Sequence, residues 1–112
     1  QVLFADWGAT LADVKESYTE DSPSPLTALE RAEVLLIDDV SAPATPWQAK
    51  QLAQVIRNRY NAARPTLYTS NLAPAELQAA LLPEVWSRLL ETTEFIECTG
   101  DDLRVAIGAN RR

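Results

Sequence analysis

The chain has 112 residues, enough for one small domain, and at 46% hydrophobic and 23% charged it has a globular composition. Its ten basic and sixteen acidic residues give a formal charge of −6, so no general basic surface attracts nucleic acid, and DNA contact would need a local patch. The absence of histidine excludes imidazole catalysis, and the lone Cys98 excludes an intrachain disulfide and fits a reducing cytoplasm.

Residues 2–6 read as a strand. Thr10 reads as the N-cap of a helix, with Asp13 three residues on and a stripe of Leu11, Val14 and Tyr18. Ser22-Pro23-Ser24-Pro25 reads as a loop, with Pro25 in the first turn of a short helix through Ala32. Val34-Leu35-Leu36-Ile37-Asp38-Asp39-Val40 follows. Its apolar run suits a strand buried on both faces of a parallel sheet, with Asp38 and Asp39 emerging at the carboxyl end. Open α/β sheets bind their ligands at that edge.

Thr45-Pro46 opens the longest helix, roughly 46–63, with Leu52, Val55, Ile56 and Tyr60 as its buried stripe. Arg64-Pro65 ends it. Thr66-Leu67-Tyr68-Thr69 reads as a strand closing on Ser70-Asn71. Pro74 and Pro83 start two short helices, through about Leu82 and Glu91. Residues 94–98 read as a strand, Thr99-Gly100-Asp101-Asp102 as a turn, and 103–107 as a final strand. Strands alternating with helices give an α/β fold, a parallel sheet with flanking helices, as a single unit over 1–112. No apolar run approaches the ~20 residues that span a bilayer, and no signal peptide is visible. The opening directly on a strand and the absence of methionine indicate a piece of a longer protein.

Several polar groups fall at strand or helix ends. A carboxylate pair such as Asp38 and Asp39 can hold magnesium and orient a water against a phosphate; it also suits a solvated acidic turn. Asn71 offers donors and an acceptor beside that tip, or caps the following turn. Arg88 either reaches a neighbouring subunit or pairs with Glu84 or Glu91. Arg104 either reaches a phosphate or pairs with Asp101 or Asp102. Lys50, Arg57, Asn61 and Arg64 share a helix face that suits a DNA backbone or plain solvent. Arg59 lies near the apolar stripe, where it snorkels, pairs with a carboxylate or serves an interface. Trp7, Trp47 and Trp86 read as core or interface anchors.

In their order and spacing these segments resemble the DnaC/IstB group of AAA+ ATPases, the bacterial helicase loaders and transposition helpers. The resemblance rests on Val2-Leu3-Phe4, Leu11–Tyr18, Leu35-Leu36-Ile37-Asp38-Asp39-Val40 and Ile56-Arg57-Asn58-Arg59-Tyr60. It continues through Arg64-Pro65-Thr66, Thr69-Ser70-Asn71-Leu72, Ser87-Arg88-Leu89-Leu90 and Gly100-Asp101-Asp102-Leu103-Arg104. It implies that Asp38 is the Walker B magnesium ligand, acting through water. It implies that Asp39 polarises the attacking water, Asn71 senses the γ-phosphate, Arg88 is the finger completing a neighbour's site, and Arg104 is the second sensor arginine.

One departure is large. The group needs a phosphate-binding loop, G-x-x-x-x-G-K-[ST] (Walker A). The only glycines are Gly8, Gly100 and Gly108 and the only lysines Lys15 and Lys50, so the loop is absent. The implied fold is a partial P-loop NTPase (AAA+) domain missing the Walker A strand, with a gap between the 66–69 and 94–98 strands. The resemblance further implies a longer, cytoplasmic parent that binds ATP and Mg2+. That parent assembles as a homo-oligomer and delivers a replicative helicase to single-stranded DNA. The alternatives are an IstB-like transposition helper acting on double-stranded DNA, or a degenerate, non-catalytic interaction module.

Overall fold

The computed structural model describes residues 1–17, 24–97 and the backbone of 104–108. Strands β1 (Val2–Asp6), β2 (Val34–Asp38) and β3 (Thr66–Ser70) lie side by side and parallel, with Asp6 opposite Asp38 and Ile37 opposite Tyr68. Strands β4 (Thr93–Glu97) and β5 (Arg104–Gly108) complete a five-stranded sheet of order β1-β2-β3-β5-β4. Helices α1 (Trp7–Glu16) and α2 (Leu26–Arg31) connect β1 to β2. Helix α3 (Pro46–Asn61) connects β2 to β3, and α4 (Pro74–Ala80) and α5 (Pro83–Thr92) connect β3 to β4. The α/β architecture and the parallel arrangement of β1, β2 and β3 therefore hold.

The expected gap does not. β5 occupies it, antiparallel to both β3 and β4, so the sheet is mixed and not purely parallel. A strand slot between two hydrogen-bonding edges is costly to leave open, and the hairpin from β4 supplies the nearest backbone to close it. The predicted turn at 99–102 lies outside the described residues, as do Cys98, Tyr18 and Ser22-Pro23.

Every connection between parallel strands steps the same way across the sheet. Right-handed crossovers then place all five helices on one face. The burial pattern agrees. Leu35 and Ile37 are 0% exposed, and Leu3, Ala5, Tyr68 and Phe95 from the same face pack on a helical core that includes Trp7, Val14, Leu29, Leu52, Val55 and Trp86. Trp7 and Trp86 are core residues, as expected, and Trp86 meets Phe95 at 5.7 Å between ring centroids. The other face carries Val2, Phe4, Leu36, Leu67 and Ile96. β2 was expected to be buried on both sides; among the described residues it is covered on one.

Local signals set most boundaries. Thr45 caps α3, its Oγ1 accepting from Gln48 N at 3.2 Å, with Pro46 at the first turn. The cap of α1 is a correction. Asp6, not Thr10, is the N-cap: its Oδ1 accepts from Ala9 N at 2.8 Å, while the Thr10 hydroxyl donates to Asp6 O. A carboxylate at the strand end lets the helix begin four residues early.

α3 ends in a Schellman motif. Arg64 N donates to Arg59 O and Ala63 N to Tyr60 O, both at 3.0 Å, and Ala63 takes the left-handed position at φ 54°. The helix thus stops at Asn61, and Arg64 lies beyond it.

Arg59 neither snorkels nor meets a carboxylate. It is 1% exposed, and its guanidinium donates to the carbonyls of Leu29 (2.8 Å), Ala32 (2.7 Å) and Pro65 (2.7 Å) and to Thr66 Oγ1 (2.6 Å). The Leu29 and Ala32 carbonyls belong to the carboxyl end of α2 and the residue that closes it, where orphan acceptors and the helix dipole favour a cation. Burial pulls this guanidinium below its usual pKa; nearby Tyr68 opposes that and Arg64 adds to it. Arg64 supports the same turn by donating to Glu30 O.

Candidate functional site at the carboxyl edge of the sheet

The residues singled out as Asp38, Asp39 and Asn71 come together at the tips of two adjacent strands. β2 ends on Asp38, and Asp39 then enters the left-handed region at φ 62°. Asp tolerates that conformation better than most residues, because its short side chain can bond locally. The turn is held by β3. Thr69 Oγ1 donates to Asp38 Oδ1 and accepts from Asp39 N at 2.8 Å. One residue on, Val40 N donates to Thr69 O at 2.8 Å, and Ser70 Oγ donates to Val40 O at 2.5 Å. Ser70 Oγ also accepts from Leu72 N at 3.0 Å, which fixes the backbone on either side of Asn71.

The two hydroxyls therefore splice the carboxylate turn of β2 to the amide turn of β3. Thr69 and Ser70 carry no sequence signature of this role, because a hydroxyl in a strand is ordinary. Asp39 and Asn71 both reach the surface from these fixed turns. Two carboxylates and an amide held this way can bind a hydrated cation and orient a water, chemistry that suits phosphate esters and anhydrides.

Register brings further groups to the edge. Asp6 sits opposite Asp38, although its Oδ1 caps α1. Arg104 opens β5 with its backbone opposite Ser70 and Glu97, so β5 carries the second-sensor candidate to the edge that bears Asp38 and Asn71. Among the described residues no group of three or more His, Cys, Asp or Glu could hold a metal ion by itself. ATP does not fit this chain alone. Lys15 and Lys50 lie on exposed positions of α1 and α3, neither follows a glycine in sequence, and β5 fills the slot that would carry the loop.

Arg88 lies elsewhere. It stacks over Tyr60 at 5.1 Å from the ring centroid and pairs with Glu84 at 3.1 Å. Tyr60 belongs to the last turn of α3, which starts near the Asp39 tip and runs about 24 Å toward the opposite edge of the sheet. Arg88 is therefore remote from Asp38 and Asp39 of its own chain. Its Nε is buried without a hydrogen-bond partner, so the guanidinium retains donor capacity.

Glu84 is shared with Arg57, which donates to it at 3.1 and 2.6 Å and holds its carboxyl below the ordinary range, with charge from Arg57 and Arg88 adding. Of the DNA-contact candidates, Arg57 bonds Glu84 and Arg64 bonds the Glu30 carbonyl, while Lys50 is exposed on α3. The four do not form one helical patch, because Arg64 lies past the helix.

Beneath the strand tips lies an apolar cavity of about 160 Å3, lined by Val40, Leu52, Tyr68, Leu77, Leu89 and Phe95 among others. Burial here pushes the Tyr68 phenol up to about 12, opposed by the charge of Arg59. Such a lining suits apolar side chains or ligands and not a polyphosphate.

No protein-family model and no solved structure matches the chain. A stretch of 73 residues, 60% of this chain, is 33% identical to the uncharacterized protein YqaM of Bacillus subtilis (strain 168). The match spans 23% of that relative's length.

Proposed function

We propose that residues 1–112 are the magnesium- and sensor-bearing part of an AAA+ ATPase of the DnaC/IstB type, with a helicase-loading role on single-stranded DNA. The observation that carries this reading is the splice at the strand tips. Thr69 bonds both the Asp38 carboxylate and the Asp39 amide, and Ser70 then fixes the turn that presents Asn71. A solvated acidic turn needs no such cross-strand support. A site that must hold a carboxylate pair and an amide in one geometry does.

In this reading Asp38 binds hydrated magnesium, Asp39 accepts a proton from the attacking water, and Asn71 bonds a terminal phosphate oxygen. The phosphate loop comes from polypeptide outside this chain. Arg88, remote from Asp38 in its own chain, serves the site of an adjoining copy. Arg104 is the second sensor, and Lys50 with Arg57 and Arg64 is the candidate DNA contact. The runner-up within the same fold is a transposition helper on double-stranded DNA.

The test is subunit mixing with the full gene product. Asp38→Ala and Arg88→Ala should each abolish ATP hydrolysis, and a mixture of the two should regain part of it. Loss in both without recovery on mixing, at concentrations where the copies associate, overturns the assignment of Arg88.

A further inference from the structure

The apolar cavity beneath the strand tips has the size and lining of a ligand site. Backbone register sets Tyr68 of β3 and Phe95 of β4 on either side of Ala106 in β5, so the residue between the two aromatics is a small one. Leu77 of α4 and Leu89 of α5 line the cavity from the helical layer. The space left is about 160 Å3, close to the roughly 150 Å3 at which a cavity lined by Leu, Ile and Phe stays dry and takes benzene. We propose that this cavity binds one uncharged monocyclic aromatic molecule. The proposal does not depend on the nucleotide reading.

The polar groups of the described lining are committed or peripheral. Ser70 Oγ donates to Val40 O and accepts from Leu72 N, so it has no proton to offer a ligand. The Tyr68 phenol meets Thr66 and the charge of Arg59, neither of which lines the cavity. Glu97 carries the charge of the lining, and it is exposed, which puts it at the rim. A buried polar atom on the ligand would lose its water without a partner, and a carboxylate would meet Glu97 on the way in. Size sets the other limit. Pockets for larger molecules run to about 300 Å3 and more, so one ring fills this cavity and a nucleotide or a cofactor does not enter.

The place of the cavity links it to the strand tips. Val40, Ser70 and Leu72 belong to its lining, and they are the residues that follow Asp39 and flank Asn71. The same three residues carry the hydrogen bonds that splice the two turns. A ring in the cavity therefore packs against the residues beside both groups at the edge of the sheet. Tyr68 and Phe95 favour an aromatic occupant over an aliphatic one of equal volume, because ring pairs gain from tilted and offset contacts.

Calorimetric titration of the full gene product with benzene tests this. One site per chain should saturate with half-saturation at about 1 mM or below, an affinity within reach of a six-atom ligand. Pyrazine, a ring of the same size with two nitrogens to desolvate, should bind at least about tenfold more weakly. Two variants fill the space with an indole: Leu81→Trp at the half-buried edge of the lining, and Leu77→Trp on α4. Each should abolish benzene binding, and urea unfolding shows which of them keeps the fold. Absence of saturable benzene binding overturns the proposal. So does pyrazine bound as tightly as benzene, or benzene binding unchanged in either variant that folds.

Discussion

Replacing Arg59 by Met isolates what its guanidinium contributes. Methionine nearly fills the volume, so no large cavity opens, and the apolar stripe of α3 is kept. The change leaves the Leu29 and Ala32 carbonyls facing a dry interior where each had a bond of 2.7 to 2.8 Å, while the Pro65 carbonyl keeps the Leu35 N donor at 3.2 Å. An unsatisfied buried carbonyl costs about 1 to 1.5 kcal/mol here, which gives a loss of about 2.5 kcal/mol. Relief from burying a cation offsets some of the lost charge-assisted bonding and is why the figure is not higher. For a domain stable by about 5 to 15 kcal/mol this is a large fraction. Urea unfolding followed by fluorescence reads it directly, since Trp7 and Trp86 are buried. With a slope of about 1.3 kcal/mol/M the midpoint should fall by about 2 M. Arg59→Lys should recover only part, because an ammonium cannot reach four acceptors in one plane. A fall of less than about 0.7 M in Arg59→Met would refute the reasoning: the carbonyls would then be satisfied without the guanidinium.

Three further outcomes follow from the same geometry. Ala63→Gly should stabilise the protein by about 0.5 to 1 kcal/mol in the same unfolding assay, because Ala63 holds a left-handed φ of 54° that glycine adopts without strain. Absorbance titration at alkaline pH should show the Tyr68 phenol ionising near 12, against about 10 for an ordinary tyrosine. Its folded pKa is raised, so its contribution to stability is complete below pH 10 and is lost as pH rises toward 12; Tyr68→Phe should flatten that alkaline limb. Isothermal titration of residues 1–112 with Mg-ATP should show no micromolar binding, since the chain has neither a phosphate loop nor its lysine.

Much of the fold was legible because its signals are local. The apolar run into Asp38-Asp39, the Thr45-Pro46 start of α3 and the short β3 run after Arg64-Pro65 each depend on residues adjacent in sequence. What escaped depends on partners far along the chain. The place and direction of β5 are decided by competition for the open edges of β3 and β4, which no window of sequence contains. Arg59 stood out by its position on the stripe, yet its carbonyl partners sit about thirty residues upstream and in the following turn. Thr69 was invisible as the hinge of the carboxylate pair, since its meaning comes from lying opposite Asp38. The uncovered face was misread for a related reason. An apolar run shows that a strand can be buried on both sides, and not what covers the second.

The most direct test of the account is ATP turnover by the full gene product and its Asp39→Asn variant, with nucleotide binding measured alongside. Asparagine keeps the size and the backbone amide held by Thr69 but cannot accept a proton from water. The account predicts Mg-ATP bound equally by both proteins and hydrolysis slowed by about 100-fold or more in the variant. Turnover unchanged by the substitution, or no ATP binding by the parent protein, would contradict it.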